Sequence, residues 1–197
     1  MRGRMARLSG FTLIEMMVTI TLMSVLTMLA MPSFTTWIAN NKVRTVSDSL
    51  QNGLRFAQSE ALRRSRPIVF SLTNSTAPQT SLTAAANGSN WSINVSKSNL
   101  DANNVFVQAG VLPDVAASVQ IAGPAAVCFN SMGRLVANTD TGVSGASCNT
   151  SAASTVFTYD ITLTGADRPL RVLVGLGGQV RMCDPARKLA DSPDGCP

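Results

Sequence analysis

The pattern of apolar and polar positions divides the chain after residue 10 into three stretches with different periods. In the first stretch, residues 11–31, fifteen of 21 residues are apolar, five are Thr or Ser, and only Glu15 is charged. A helix of that length reaches about 30 Å, which matches the hydrocarbon core of a bilayer. This stretch therefore predicts a membrane-spanning helix.

The second stretch, residues 32–66, keeps a helical period but is amphipathic. Its apolar positions recur at steps of three and four residues: Val43, Val46, Leu50, Leu54, Ala57 and Ala61. Its charged residues fall mostly off that stripe: Asp48, Arg55, Glu60, Arg63 and Arg64. The spacing predicts a helix that packs one face against its own globular head. We expect the helix to end at Arg66, because the residue before a proline resists the α region.

In the third stretch, residues 67–197, the period changes to two, which predicts β-strands. The candidate strands are 68–73, 91–96, 105–108, 118–122, 126–130, 135–137, 156–164, 170–175 and 179–183. Short strands, frequent turns and the absence of a second helical pattern favour antiparallel sheets. The predicted fold class is α+β, with one long N-terminal helix packed on an antiparallel β-sheet or sandwich head. Residues 74–90 and 138–154 are rich in small and polar residues and are predicted to be surface loops.

Composition narrows the range of functions. The chain has 197 residues, with 16 Lys and Arg, 11 Asp and Glu, and no histidine. The lack of histidine excludes Ser-His-Asp and Cys-His catalysis and histidine-ligated zinc or haem. The few scattered carboxylates offer little for a two-carboxylate hydrolase or a carboxylate metal cage. We therefore expect a structural or binding protein, not an enzyme, with no cofactor and no metal.

The basic residues near the N-terminus predict the membrane topology. Arg2, Arg4 and Arg7 precede the apolar stretch, and without them the net charge falls from +5 to +2, since thirteen basic and eleven acidic residues remain. The positive-inside rule then keeps the N-terminus cytoplasmic and exports the rest of the chain.

An ordinary secretory signal peptide cut after Ala30 is the main alternative for this region. Two features argue against it. Met28 is a poor match to the small residue expected three positions before such a cut. Glu15 places a carboxylate inside the apolar segment, which costs roughly 2.5–3.5 kcal/mol at a membrane centre and less near an end. A charge in this position needs a function and a partner.

The residues Gly10-Phe11-Thr12-Leu13-Ile14-Glu15 resemble the processing motif of type IV pilin-like proteins. The resemblance implies that a prepilin peptidase removes residues 1–10 as a leader, by cutting between Gly10 and Phe11, and methylates the new N-terminus. It also implies that Glu15 pairs with the Phe11 amine of a neighbouring subunit during filament assembly. A buried ion pair of this kind sets register more reliably than it adds stability. Pro32 lies where many pilins have a proline that kinks or melts the helix.

The segment Gln58-Ser59-Glu60-Ala61-Leu62-Arg63-Arg64, before a strand that follows a proline, resembles the GspH/FimT branch of that family. This branch contains minor pilins of type IV pili and the H-type pseudopilin of type II secretion. It implies a single-pass protein of the bacterial inner membrane with a periplasmic head, whose partners are other pilins or pseudopilins. The helix chemistry is common to both systems, so the sequence does not decide between a pilus and a secretion pseudopilus.

Four cysteines, Cys128, Cys148, Cys183 and Cys196, lie in the part predicted to be exported. An even number there indicates two disulfides, and four cysteines allow three pairings. We expect Cys128–Cys148 and Cys183–Cys196, because each closes a short local loop. Zinc binding and redox activity are unattractive, because the sequence has no histidine and no C-x-x-C pair.

The C-terminal region raises DNA binding as an alternative function. Some members of the family bind DNA during natural transformation through a Gly-Arg-x-Arg motif near the C-terminus. This chain has Gly178-Gln179-Val180-Arg181 at the corresponding place, so that Gln179 replaces the first arginine. With Gly178, the candidate DNA-binding residues are Arg171, Arg181, Arg187 and Lys188. Residues 167–197 contain five basic and four acidic residues, a net charge of only +1, so we expect weak binding at most.

Three further residues or motifs have simple structural interpretations. Residues 175–180 contain part of a dinucleotide-binding fingerprint, but the third glycine is missing and no helix follows, so we predict a β-turn between two strands. Trp37 lies just past the membrane segment and is expected at the membrane interface. Trp91 is expected in the core.

Overall fold

A computed structural model describes residues 10–97, 103–112, 118–149 and 156–197. The chain begins with one helix, α1, that runs from Leu13 to Arg64 without a break at Pro32. Nine strands follow within the described residues: β1 (Ile68–Thr73), β2 (Asn90–Val95), β3 (Val105–Gly110), β4 (Gln120–Ala122), β5 (Ala126–Phe129), β6 (Val156–Thr162), β7 (Leu170–Gly175), β8 (Val180–Lys188) and β9 (Gly195–Cys196). The arginines of the predicted leader and the last residues of the predicted loop 138–154 lie outside the described residues.

The strands form two sheets beside the second half of α1. The first has the order β3-β2-β1-β5 and the second the order β4-β6-β7-β8-β9. All pairings are antiparallel except that of β8 with β9, which is parallel. The predicted fold class, a long N-terminal helix on an antiparallel β head, is confirmed.

The apolar stripe of the second stretch forms the contact between helix and head. Its six residues are at most 1% exposed, and they pack with side chains from both sheets, including Phe70 and Tyr159. Trp91 is also buried, as predicted, and its ring lies against α1 at Gly53. A Cβ at Gly53 would stand 3.0 Å from that ring, so the glycine allows the close approach of helix and sheet.

Several element boundaries differ from the sequence-based prediction. The helix ends at Arg64, because Ser65 adopts a left-handed conformation (φ 52°) and its N–H caps the last turn. Residues 135–137 form no strand; Leu135 makes only an isolated bridge with Phe129. β8 continues five residues beyond its predicted end at residue 183, because the returning tail pairs with it as β9.

Two groups of residues are more buried than the sequence predicted. Glu60, off the apolar stripe, is only 5% exposed, because Arg63 and Arg64 both bind its carboxylate. The predicted surface loops also contribute to a second, smaller core. Their contribution is Ala84, Val143, Ala146 and Cys148, which pack with Val69 and Cys128 from the first sheet.

Candidate functional site

The first turn of α1 holds the predicted processing motif. Thr12 is the N-cap, and the Glu15 carboxylate accepts hydrogen bonds from the Thr12 backbone N–H at 2.8 Å and from its hydroxyl at 2.9 Å. The Glu15 N–H donates to the Thr12 hydroxyl in return at 3.3 Å. This reciprocal capping box defines where the helix starts.

The peptide bond between Gly10 and Phe11 lies just outside this cap. Both residues are exposed and non-helical, and Phe11 is 84% exposed. A Cβ built on Gly10 would meet no atom within 4 Å. The backbone at the predicted cut is therefore open to an enzyme, and it is not tied into the first helical hydrogen bonds.

The first half of α1 carries a large apolar surface that the head does not cover. Its large apolar side chains between Leu13 and Ile38 are 46% to 80% exposed. The helix is long and apolar enough to cross a membrane, with a mean hydropathy of 2.0 in its most apolar window and none of that window buried. An uncovered surface of this size requires lipid or other helices around it.

The head begins where α1 first meets the second sheet. Asn40 donates from its amide to Asp167 at 2.6 Å and accepts from the backbone N–H groups of Asp167 and Arg168. These residues belong to the connection between β6 and β7. Trp37 lies one turn earlier and is 65% exposed, beside the position where the helix leaves the head.

Both predicted disulfides are present. Cys128 is linked to Cys148, with 5.8 Å between their Cα atoms, and Cys183 to Cys196, with 5.1 Å. The first disulfide connects β5 to the second core. The second holds the C-terminal tail against β8.

The candidate DNA-binding residues do not form one open cationic surface. Arg171 lies 2.5 Å from the Asp160 carboxylate. Arg187 lies 3.2 Å from Asp194 and 3.7 Å from Asp184. The pairs with Asp160 and Asp194 could not be predicted from the sequence, because they connect different strands or a strand and the tail. The pair with Asp184 lies within β8.

The remaining candidates have separate roles in the fold. Arg181 donates to the backbone carbonyls of Pro193 at 2.9 Å and Gly195 at 3.2 Å, and so holds the tail. Gly178 lies in the β-turn predicted between β7 and β8, where its N–H donates to Gly175 at 2.8 Å and its φ is +90°. Lys188 is exposed at the end of β8 and makes no ion pair with any described residue.

The long exposed N-terminal helix, the β head and the motif at the helix start define a membrane-anchored filament subunit of the pilin type. The family model "Type II transport protein GspH" matches residues 46–178, and the model "Prokaryotic N-terminal methylation motif" matches residues 5–31. The chain belongs to the GspH family, the minor pilins and pseudopilins of type IV pili and type II secretion systems.

Solved structures of this family are similar to the chain. The type IV minor pilin FimU of Pseudomonas aeruginosa is 17% identical, with a TM-score of 0.50 over 75% of this chain and 92% of that one. The minor pseudopilin EpsH of the Vibrio cholerae type 2 secretion system is 13% identical, with a TM-score of 0.46 over 74% of this chain and 99% of that one. The first shows the same fold. No curated protein sequence matches the chain significantly.

Proposed function

We propose that this chain is a minor subunit of an inner-membrane-rooted filament, matured by prepilin peptidase between Gly10 and Phe11. The observation that carries the proposal is the position of this peptide bond: it is exposed, lies one residue before the N-cap Thr12, and stands about one turn before Glu15. Cleavage there makes the charged amino group of Phe11 the new N-terminus, at the start of an uncovered apolar helix. Methylation of that amine keeps its positive charge.

Glu15 has the geometry to serve a second partner in the filament. Both hydrogen bonds from Thr12 go to the same carboxylate oxygen, Oε2. The other oxygen, Oε1, accepts no bond from the described residues. A neighbouring Phe11 ammonium can therefore bind the carboxylate without breaking the capping box. An unpaired charge in a bilayer is unfavourable. Only subunits in the correct register therefore pair the Phe11 ammonium of one subunit with the Glu15 carboxylate of the next.

We also infer the orientation in the membrane. The arginines before the apolar helix favour a cytoplasmic N-terminus, and the head then lies in the periplasm. Both disulfides belong to the head, which agrees with an oxidising compartment.

The test combines processing with assembly. Intact mass and N-terminal sequencing of the membrane form should show a chain that starts at methylated Phe11. Glu15→Val should insert into the membrane at least as well as wild type, because it removes a charge, but should be nearly absent from isolated filaments. Thr27→Val is the matched control, because it removes a polar group from the same helix and leaves Glu15 intact. A mature terminus at Met31, or normal incorporation of Glu15→Val, would refute the proposal.

A further inference from the structure

Three elements meet at the end of the head where α1 ends. They are the last turns of α1, residues 130–135 after β5, and the turn between β7 and β8. Gln58 of α1 donates to the Gly133 carbonyl at 3.1 Å, and the Leu135 N–H donates to the Leu176 carbonyl at 3.0 Å. A Cβ at Gly178 would collide with the Gly133 carbonyl, so the two turns are in close contact.

This junction exposes apolar side chains. Met132 is 68% exposed, Leu62 is 52% exposed and Leu176 is 37% exposed. The turn that carries Met132 packs against the end of α1, because a Cβ at Gly133 would lie 3.3 Å from the Leu62 side chain. We call Leu62, Met132 and Leu176 the tip surface. Exposed apolar side chains carried by elements that touch one another mark an interaction site more often than isolated ones do.

The turn that carries Met132 is held in one conformation. The Asn130 side chain accepts hydrogen bonds from the Met132 N–H at 2.9 Å and the Arg134 N–H at 3.0 Å. The Gly133 N–H donates to the Asn130 carbonyl at 2.9 Å, and the positive φ of Gly133 (+71°) favours glycine. A side chain on a preorganised turn loses little entropy when a partner binds it.

The surroundings of the tip surface are cationic. Arg63 and Arg64 share a single carboxylate, that of Glu60, so this group keeps one net positive charge. Arg134 is exposed and makes no ion pair with any described residue. A partner with carboxylates around an apolar contact would complement this charge, whereas a second copy of the same surface would be repelled.

We propose that the tip surface docks the head of a different filament subunit, one that presents an apolar side chain flanked by carboxylates. The inference rests on the proposed filament function. In a filament whose subunits all point the same way, the end of a head away from the membrane faces the neighbouring subunit on that side. α1 runs from the membrane segment to this end of the head, so the tip surface faces that subunit.

The experiment places a photo-cross-linking amino acid at position 132 of the full chain, in cells that assemble the filament. Position 189, on the tail and 41% exposed as leucine, is the matched control. We expect position 132 to give a cross-link to another pilin-like subunit at least five-fold stronger than position 189 does. A product with a second copy of this chain, or equal yields at the two positions, would overturn the inference.

Two substitutions test the chemistry. Met132→Asp should lower the amount of chain recovered with its neighbouring subunit at least five-fold, while Leu189→Asp should not; Arg134→Glu should also lower it. Both tip variants should be processed, inserted and disulfide-bonded like wild type, since the altered side chains are exposed. Normal recovery of Met132→Asp would refute the tip surface and leave the filament function intact. Absence of the wild-type chain from filaments would instead refute the filament function.

Discussion

Asn40 and Asp167 bind each other through two hydrogen bonds, although 127 residues separate them in the sequence. The Asn40 amide donates to the Asp167 carboxylate at 2.6 Å, and the Asp167 N–H donates to the Asn40 carbonyl oxygen at 3.1 Å. Asn40 lies nine residues after Met31, the last residue of the predicted span. This pair therefore anchors the head to the helix close to the predicted membrane surface.

The first prediction concerns this anchor. Asn40→Ala removes the side chain that holds the β6–β7 connection, and we expect it to lower the free energy of unfolding by about 1 kcal/mol, the usual net value of such hydrogen bonds. Asn41→Ala is the control, because the Asn41 side chain is exposed and makes no hydrogen bond with the described residues. Thermal unfolding of the full chain in detergent measures both. Equal melting temperatures for the two variants would show that Asn40 does not anchor the head to the helix.

The second prediction concerns pH. Hydrogen bonds from Arg63 and then Arg64 lower the pKa of Glu60 from 4.5 to about 2. Because the pKa is lowered by folding, the stabilisation is present above pH 4.5 and is lost as the pH falls from 4.5 towards 2. We expect the pair to contribute roughly 1–2 kcal/mol, since Arg63 is largely exposed to solvent.

Glu60→Gln tests this pH dependence. The variant should be less stable than wild type at pH 7, and the difference should shrink as the pH is lowered through this window. Asp48→Gln is the control, because its carboxylate lies 3.5 Å from Arg44 in an exposed pair and should contribute little. A difference between wild type and Glu60→Gln that does not change between pH 7 and pH 2 would contradict the prediction.

The third prediction concerns the tail. Replacing Cys183 and Cys196 by serine opens a loop of 13 residues. In the chain-entropy model, the loss of this disulfide lowers the free energy of unfolding by about 3 kcal/mol. Arg181 then loses its fixed partners, the carbonyls of Pro193 and Gly195. We expect trypsin to cut after Arg187 and Lys188 much faster than in wild type.

The other disulfide provides the control for this experiment. Replacing Cys128 and Cys148 by serine should destabilise the second core by a similar amount, since its loop spans 20 residues. It should leave the tail as protected as in wild type, because β9 and its disulfide stay in place. Equal rates of tail cleavage in the two double variants would show that the Cys183–Cys196 bond does not hold the tail.

The fourth prediction concerns DNA. We expect weak, sequence-independent binding that falls steeply between low and physiological salt, because phosphate contacts release counterions and carry no sequence information. Gln179→Arg should strengthen binding at low salt. The slope of the logarithm of the binding constant against the logarithm of the salt concentration should also become steeper, as expected for about one more phosphate contact. Arg187→Gln and Lys188→Gln should each weaken it, and so should Arg181→Gln, which also loosens the tail.

A titration of the full chain in detergent with duplex DNA at two salt concentrations measures these effects. Lys42→Gln, on the helix and away from β8, is the control for net charge. Tight binding of the wild-type chain at physiological salt would show that the ion pairs of Arg171 and Arg187 open in the complex. No binding even at low salt would remove the DNA hypothesis and leave filament assembly.

The sequence was sufficient wherever a local pattern carries the information. The apolar stripe of α1, most of the strands, the turn at Gly178 and the two disulfides could be predicted, because helical and strand periods depend on neighbouring residues and short cysteine loops close locally. The strand predicted at residues 135–137 does not form, and β9 was not predicted. The class of protein also followed from a local motif around Gly10 and Glu15. Confirmation came from family models that match these same regions.

Contacts between residues far apart in the chain required the folded structure. The sequence shows Arg171 and Arg187 as free cations, but pairing of β6 with β7 brings Asp160 to the first, and return of the tail brings Asp194 to the second. Likewise, nothing local marks the turn at Gly133 as a neighbour of Leu62. Electrostatic and packing energies depend on distances in space, and only the arrangement of both sheets around α1 sets those distances.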